Sequence, residues 1–487
     1  MKQKEDNRCF FAKNIFLAFV LGAVGTFIYL MLINKRAVYY DSAYYWELSQ
    51  SFFGKDNNFS FLNFPLSWRG YFLPFIFSVC KLGDIVFGAD RYVLYVVLSS
   101  LNASFICTVA LPYLASAIGK QKQVGIIPRI VILVLTLVFW KGLFCYPLSD
   151  FYAFSFIVLA CALLYSMEEH GNSGNLVFII KSFFIGVLTY GAYNTRTIYL
   201  FSIFAIIILA IITQKQNGLK AILKLFFFAL CGFLIAAYPQ MLINYNVSGA
   251  LSIKVDTSML SGNGLFSDQL FGGLISQRYE TLVPGMAEKI GAAGIVYYDS
   301  VGQQIMNKLG GFHMGSMMDY FKIIIQYPLE TIGIYLRHLI NFLNPIFGEM
   351  YIEDPEKIKL HYTILNYTLM FATVLGVFGL REKYLNGADN KTKFNWALIT
   401  KHLAWILPFV LPVLMIIPGQ PEVRFFIPVY MLMYMFLACC VDYKTVMETV
   451  KKHTVLMAIS YVGVFCLLCS VWSMTYTSCN VDLHLFL

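Results

Sequence analysis

Long apolar runs separated by short polar stretches dominate the chain. Eleven are long enough to cross a hydrocarbon core of roughly 30 Å: residues 12–33, 92–118, 126–144, 150–167, 176–194, 197–213, 221–243, 362–380, 396–417, 425–442 and 454–475. The pattern predicts an all-α polytopic membrane protein, one integral membrane domain over residues 1–487. The first run is too long for a signal-peptide core and no small-residue cleavage site follows it, so it reads as an uncleaved anchor.

Two long segments interrupt the runs, 34–91 and 244–361. In the first, the apolar stretch before Gly88 carries Lys81 and Asp84. Each charge at the centre of a crossing helix costs about 2.5–3.5 kcal/mol, which predicts a helix lying along the surface instead. In the second, Glu330, Arg337, His338 and Asn341 fall on one stripe of an apolar helix opened by Pro328 and stopped at Asn344-Pro345. That spacing predicts an interfacial amphipathic helix, its stripe facing either a cavity or water.

Composition sharpens the class. Of 487 residues 59% are hydrophobic and 13% charged, against about 45–50% and 25% in ordinary globular domains. A soluble enzyme, a disordered chain and a disulfide-stapled module are excluded. The 32 Tyr suit interfacial belts. The 11 Cys lie mainly within apolar runs and read as small core residues, the Cys466–Cys469 pair included. The net charge of +9 reads as membrane anchoring, with no nucleic acid implied.

Lys and Arg set the orientation. With the N-terminus inside, Lys2, Lys4, Arg8 and Lys13, then Lys120, Lys122 and Arg129, then Lys215, Lys220 and Lys224 are cytoplasmic, as are Arg381, Lys383, Lys391, Lys393, Lys444, Lys451 and Lys452. Short outer turns carry only Lys141, Arg196 and Arg424. The expected arrangement is a multi-pass plasma-membrane protein with a cytoplasmic N-terminus, an extracytoplasmic C-terminus and both long segments outside. Neither GxxxxGK[ST] nor GxGxxG occurs, so no nucleotide site is indicated.

Candidate chemistry sits at the outer face. Asp41 follows the first span in Tyr39-Tyr40-Asp41-Ser42-Ala43-Tyr44-Tyr45-Trp46. A partly desolvated carboxylate there suits a general base, and the same residue suits an N-cap of a short helix. Ser149 or Asp150 suits a cap of the fourth span. Arg196 and Arg424 open spans, where a guanidinium either reaches headgroups or binds a ligand. Glu349, Glu353, Asp354 and Glu356 read as a solvated loop in preference to a metal site.

In order and sidedness these pieces resemble the GT-C superfamily of membrane glycosyltransferases, nearest the protein-mannosyltransferase-like enzymes and their bacterial lipid-sugar relatives. The resemblance rests on Asp41 after the first span, Phe64-Pro65-Leu66 with Tyr71, Ser149-Asp150, and Arg424-Phe425. The chain departs where Ser42 follows Asp41 in place of an acid, and where Phe64 precedes Pro65. The resemblance implies a polyprenyl-phosphate sugar donor, a glycan, lipid or protein acceptor, and inversion with Asp41 as catalytic base. Arg424, Arg337, His338, Arg196, Arg69, Tyr44 and Asp150 become the substrate-binding candidates. It implies no obligatory cofactor and is compatible with a divalent cation. The competing readings are a flippase or exporter, a polymerase of lipid-linked glycans, and a non-catalytic scaffold.

Overall fold

Along the long helices, side chains that a soluble protein would bury face outward: Phe16, Leu32, Leu219, Phe227, Ile235, Val455 and Leu467 are all exposed. Lipid is the solvent that makes such a surface stable. The computed structural model describes residues 2–119, 124–170, 174–257, 264–311, 315–386 and 396–478. Among these residues eight helices are long and apolar enough to cross a membrane, and three apolar helices are shorter: Ile126–Trp140, Thr400–Ile416 and Val423–Cys439. The chain is a helical multi-pass membrane protein. The predicted anchors Lys120, Lys122, Lys391 and Lys393 and the predicted outer C-terminus lie outside the described residues.

The chain forms two compact units. One holds residues 1–256, 394–412 and 438–440, the other 257–393, 413–437 and 441–487.

The first unit opens with α1 (Lys2–Ile33), α2 (Tyr40–Ser51), α3 (Phe72–Phe87) and α4 (Arg91–Ser104), then a π-helical turn Phe105–Ala110 into α5 (Leu111–Gly119). It continues through α6 (Ile126–Trp140), α7 (Gly142–Cys145), α8 (Ser149–His170), α9 (Asn175–Thr195), α10 (Leu200–Gln214) and α11 (Leu219–Ser248). α3 is the predicted helix with two charges, closed by Gly88 at φ 63°. Its Lys81 and Asp84 are 3.6 Å apart, and Arg91 lies 3.3 Å from the same carboxylate. α9 and α11 touch backbone to backbone: a Cβ on Gly186 would stand 1.8 Å from the Ala229 carbonyl oxygen, and one on Gly232 2.0 Å from that of Phe183. Small residues permit this approach where no hydrophobic force drives helices together.

Arg129, counted from the sequence among the cytoplasmic charges, is held by backbone carbonyls. It is buried, with Nε donating to the Val124 carbonyl at 3.2 Å and Nη1 to that of Thr108 in the π turn. A π turn displaces the regular ladder, and the guanidinium supplies a donor to it.

The second unit holds α12 (Leu265–Ile275), β1 (Ser276–Thr281), α13 (Pro284–Ile290), β2 (Gly294–Tyr298), α14 (Ser300–Lys308), α15 (Met317–Gln326), α16 (Pro328–Phe342) and α17 (Leu360–Asn386). α18 (Trp396–Ile416) and α19 (Ile427–Cys439) contribute to both units, and α20 (Tyr443–Lys452) and α21 (Thr454–Thr477) close the second. β1 and β2 pair antiparallel, Tyr279 opposite Val296, with an irregularity between Ser276 and Arg278. The second long segment thus contains a small folded module with a hairpin, which the all-α expectation missed. The physical reason is that β1, Ser-Gln-Arg-Tyr-Glu-Thr, buries Gln277, Arg278 and Glu280 and so shows no apolar alternation. Val296 and Tyr298 of β2 join a core with Leu274, Ile305, Tyr320 and Ile334. Ile295 and Tyr297 join another with Leu282, Ile346 and Ile352. Helix α16 begins at Pro328 as predicted.

Candidate functional site

The first turn of α2 is closed by Ser42. Its Oγ accepts the Tyr39 N–H at 2.9 Å and donates to the Tyr39 carbonyl at 2.7 Å. Asp41 is therefore not the cap, contrary to one of the two expectations for it. Its carboxylate turns to Arg69, whose Nη2 donates to Oδ1 at 2.5 Å. Arg69 Nη1 donates to the Tyr45 hydroxyl at 3.3 Å. The guanidinium lies 5.0 Å from the Trp68 ring centre and 5.3 Å from that of Tyr45. Trp68 in turn meets Tyr44 edge-on at 5.9 Å. Burial alone would push Arg69 down, but Tyr45 and Asp41 more than offset it, and the guanidinium sits above its usual value. Asp41 and Arg69 keep about a third and a quarter of their side-chain surface in solvent. The result is an ion pair in an aromatic corner, partly open to water.

The residues after Arg69 anchor it. Gly70 lies on the Asn194 backbone, where a Cβ would stand 1.7 Å from the carbonyl oxygen. The Phe72 N–H donates to Asn194 Oδ1 at 2.8 Å, and the Tyr71 hydroxyl to the Ala236 carbonyl at 2.5 Å. Asn194 Nδ2 donates to Gln240 Oε1 at 2.8 Å, and Gln240 Nε2 to Asn244 Oδ1 at 2.9 Å. Asn244 then donates to the Ser252 and Lys254 carbonyls at 2.6 and 2.7 Å. A buried amide chain on α9 and α11 thus fixes the loop that presents Arg69, since each buried amide must find partners. None of these amides was among the residues expected at the site. Their signal was present: Gln240 and Asn244 are polar positions four apart at the end of an apolar helix.

Asp150, in the first turn of α8, is buried and pairs with Arg196, which follows α9. Tyr146, just before α8, meets the Tyr39 ring at 6.0 Å. Five of the predicted site residues, Asp41, Tyr44, Arg69, Asp150 and Arg196, therefore lie on neighbouring segments of one unit. On α2 beside them, Trp46 borders a cavity of about 480 Å³ that Arg36, Arg91, Asp84, Asp90 and Tyr92 also line. Arg36 pairs with Asp90 at 3.0 Å.

Arg337, His338 and Arg424 belong to the second unit. Arg337 grips Asp299 with two bonds of 2.6 and 2.9 Å, while Asp299 Oδ1 also accepts the N–H groups of Val301 and Gly302 that open α14. His338 is fully buried, its ring nitrogens 2.6 Å from the Ile417 carbonyl and 2.8 Å from that of Ser276. Burial pushes its pKa down and the two carbonyls oppose that shift. Held this way, the ring braces β1 against the turn after α18. The stripe on α16 that was expected to meet a cavity or water instead buries His338 and Asn341.

Arg424 Nε donates to Glu422 at 2.6 Å. Nearby, Arg278 binds Glu280 and donates to the Asn341 and Asn344 carbonyls at 3.2 and 2.8 Å, closing the end of α16. Burial raises the Glu280 carboxyl above its usual range; Arg278 and Arg424 oppose this and Glu422 adds to it. Arg278 was not expected at the site, because it sits in a strand that the apolar pattern does not predict.

In the acidic segment, Glu349 pairs with Lys359 at 3.2 Å and Asp354 with Lys357 at 3.1 Å. Among the described residues no three His, Cys, Asp or Glu side chains converge as a metal's donor set would require. Comparisons with family models, with curated proteins and with solved structures give no match.

Proposed function

We propose that the chain is a GT-C-like glycosyltransferase of the plasma membrane with eleven spans and a cytoplasmic N-terminus. It moves a sugar from a polyprenyl-phosphate donor to a glycan, lipid or protein acceptor on the outer face. The observation that carries this reading is the Asp41–Arg69 pair, placed directly after the first span in a corner of Tyr44, Tyr45 and Trp68. Aromatic faces suit sugar rings, and a positioned carboxylate suits removal of a hydroxyl proton.

In the reaction, Asp41 accepts the proton of the acceptor hydroxyl while Arg69 orients the carboxylate. The acceptor oxygen bonds to the anomeric carbon as the bond from that carbon to the donor phosphate oxygen breaks. The electron pair leaves on the polyprenyl phosphate, and Asp41 returns its proton to water. One base suffices for this single inverting displacement. Cations offset the charge on the leaving phosphate. Arg196 serves this role on the segment beside Asp41, and Arg424 is the cation the resemblance assigns to it.

The test uses the full chain in proteoliposomes, supplied with a panel of radiolabelled polyprenyl-phosphate sugars and a membrane extract as acceptor. Release of polyprenyl phosphate by the wild type and its loss in Asp41→Asn at equal expression supports the reading. Turnover in Asp41→Asn equal to wild type removes Asp41 from the chemistry. Movement of the intact lipid-linked sugar across the bilayer without cleavage marks an exporter instead.

A further inference from the structure

A second polar cavity lies at the other end of the first unit. It has a volume of about 310 Å³ between the starts of α9 and α11, and Asn175, Phe178, Asn217, Lys220 and Lys224 are among the residues that line it. Asn175 and Asn194 are 194 − 175 = 19 residues apart on α9, about 28 Å at 1.5 Å per residue. That distance is close to the thickness of a hydrocarbon core. Asn194 supports the Arg69 loop, so this cavity opens at the opposite membrane surface.

Its lining is cationic. Lys224 donates to Asn175 Oδ1 and lies 5.0 Å from the Phe178 ring centre. Among the described residues neither lysine is paired with a carboxylate. The acids nearest in sequence are engaged elsewhere: Glu168 with Lys401, and Glu169 with the Tyr113 hydroxyl at 3.0 Å. Directly alongside, Leu176, Leu219, Leu223 and Phe227 project outward as bare apolar side chains. A ligand here meets two ammonium groups and amide donors at its head, and a hydrocarbon-compatible surface next to them. A soluble anion would use only the first of these features.

We infer that this cavity binds the phosphate headgroup of an anionic phospholipid, its acyl chains lying along the exposed faces of α9 and α11. Basic recesses between membrane helices are suited to such headgroups. The site is independent of sugar transfer and stands whether or not Asp41 is a base.

The test is native mass spectrometry and labelled-lipid binding on the full chain in nanodiscs of phosphatidylcholine, with phosphatidylglycerol as probe. The wild type is expected to prefer phosphatidylglycerol, and Lys220→Gln/Lys224→Gln to lose affinity by about fivefold per lysine. Lys215→Gln removes the same charge at the same end but outside the cavity, and is expected to bind as wild type. Equal affinity in the double variant, or an equal loss in Lys215→Gln, overturns the inference. So does full competition by inorganic phosphate, which identifies a soluble anion as the ligand.

Discussion

Arg69 donates to Asp41 at 2.5 Å across 28 residues of sequence, joining the loop before α3 to the first turn of α2. The bond uses one end of a planar fork whose other end reaches the Tyr45 hydroxyl. Lysine has one point of charge and cannot make both contacts in that geometry. Arg69→Lys is therefore expected to keep the fold and lower sugar transfer by about tenfold to a hundredfold, and Arg69→Gln to lower it further. Turnover of a polyprenyl-phosphate sugar in proteoliposomes measures this. Full activity in both variants would detach the pair from the reaction.

Gly70→Ala tests the support behind that pair. The new methyl group would meet the Asn194 carbonyl at 1.7 Å, and the oxygen belongs to helix backbone that cannot rotate away. The loop must shift, taking the Phe72 N–H off Asn194 Oδ1. Overpacking of this kind costs about 1–3 kcal/mol, visible as a lowered unfolding temperature of the detergent-solubilised chain. Asn194→Ala removes the partner of the Phe72 N–H instead. It is expected to destabilise by about 1–3 kcal/mol, the penalty of leaving a buried group unsatisfied.

Much of this fold was legible because apolar length is a strong signal. The apolar helices, eight of them among the described residues long enough to cross a membrane, the charged helix α3 and the start of α16 at Pro328 all follow from runs and breakers. Tertiary partners were less legible. Asp41 suited both a cap and a base, two compatible roles, and the cap is excluded only by the Ser42–Tyr39 bonds, which the sequence does not show. Arg129 read only as one more cytoplasmic charge, because the π turn that supplies its acceptor is invisible in sequence. The hairpin was hidden for a related reason: Arg278 and Glu280 satisfy each other indoors, so β1 carries none of the alternation by which strands are recognised.

The Arg278–Glu280 pair gives a prediction for the second unit. Arg278 is about 1% exposed and also serves two carbonyls at the end of α16. Arg278→Met leaves Glu280 buried without its main partner, and such half-broken pairs cost about 3–5 kcal/mol. Replacing both, Arg278→Met with Glu280→Gln, removes the stranded charge and is expected to recover a substantial part of the loss. Chemical unfolding of the wild type, of Arg278→Met and Glu280→Gln singly, and of the double variant completes the cycle. A single variant as stable as wild type would show that the pair does not hold the hairpin.

Asp319 offers a pH test outside the membrane. Its carboxylate accepts the Ser316 hydroxyl at 2.7 Å, the Lys322 ammonium at 3.0 Å and the Ser316 N–H at 3.1 Å, closing the start of α15. These partners, the Ser316 hydroxyl first, lower its pKa from 3.8 to about 2. A carboxyl depressed in the folded state adds stability that is fully present above pH 3.8 and is lost as the pH falls through about 2. Amide exchange at Tyr320 and Phe321 is therefore expected to quicken across that window beyond the intrinsic pH dependence. In Asp319→Asn the helix start should already be loosened at neutral pH and show no further change on acidification. Identical pH profiles in the two chains would mean that the Ser316–Asp319 contact does not secure α15.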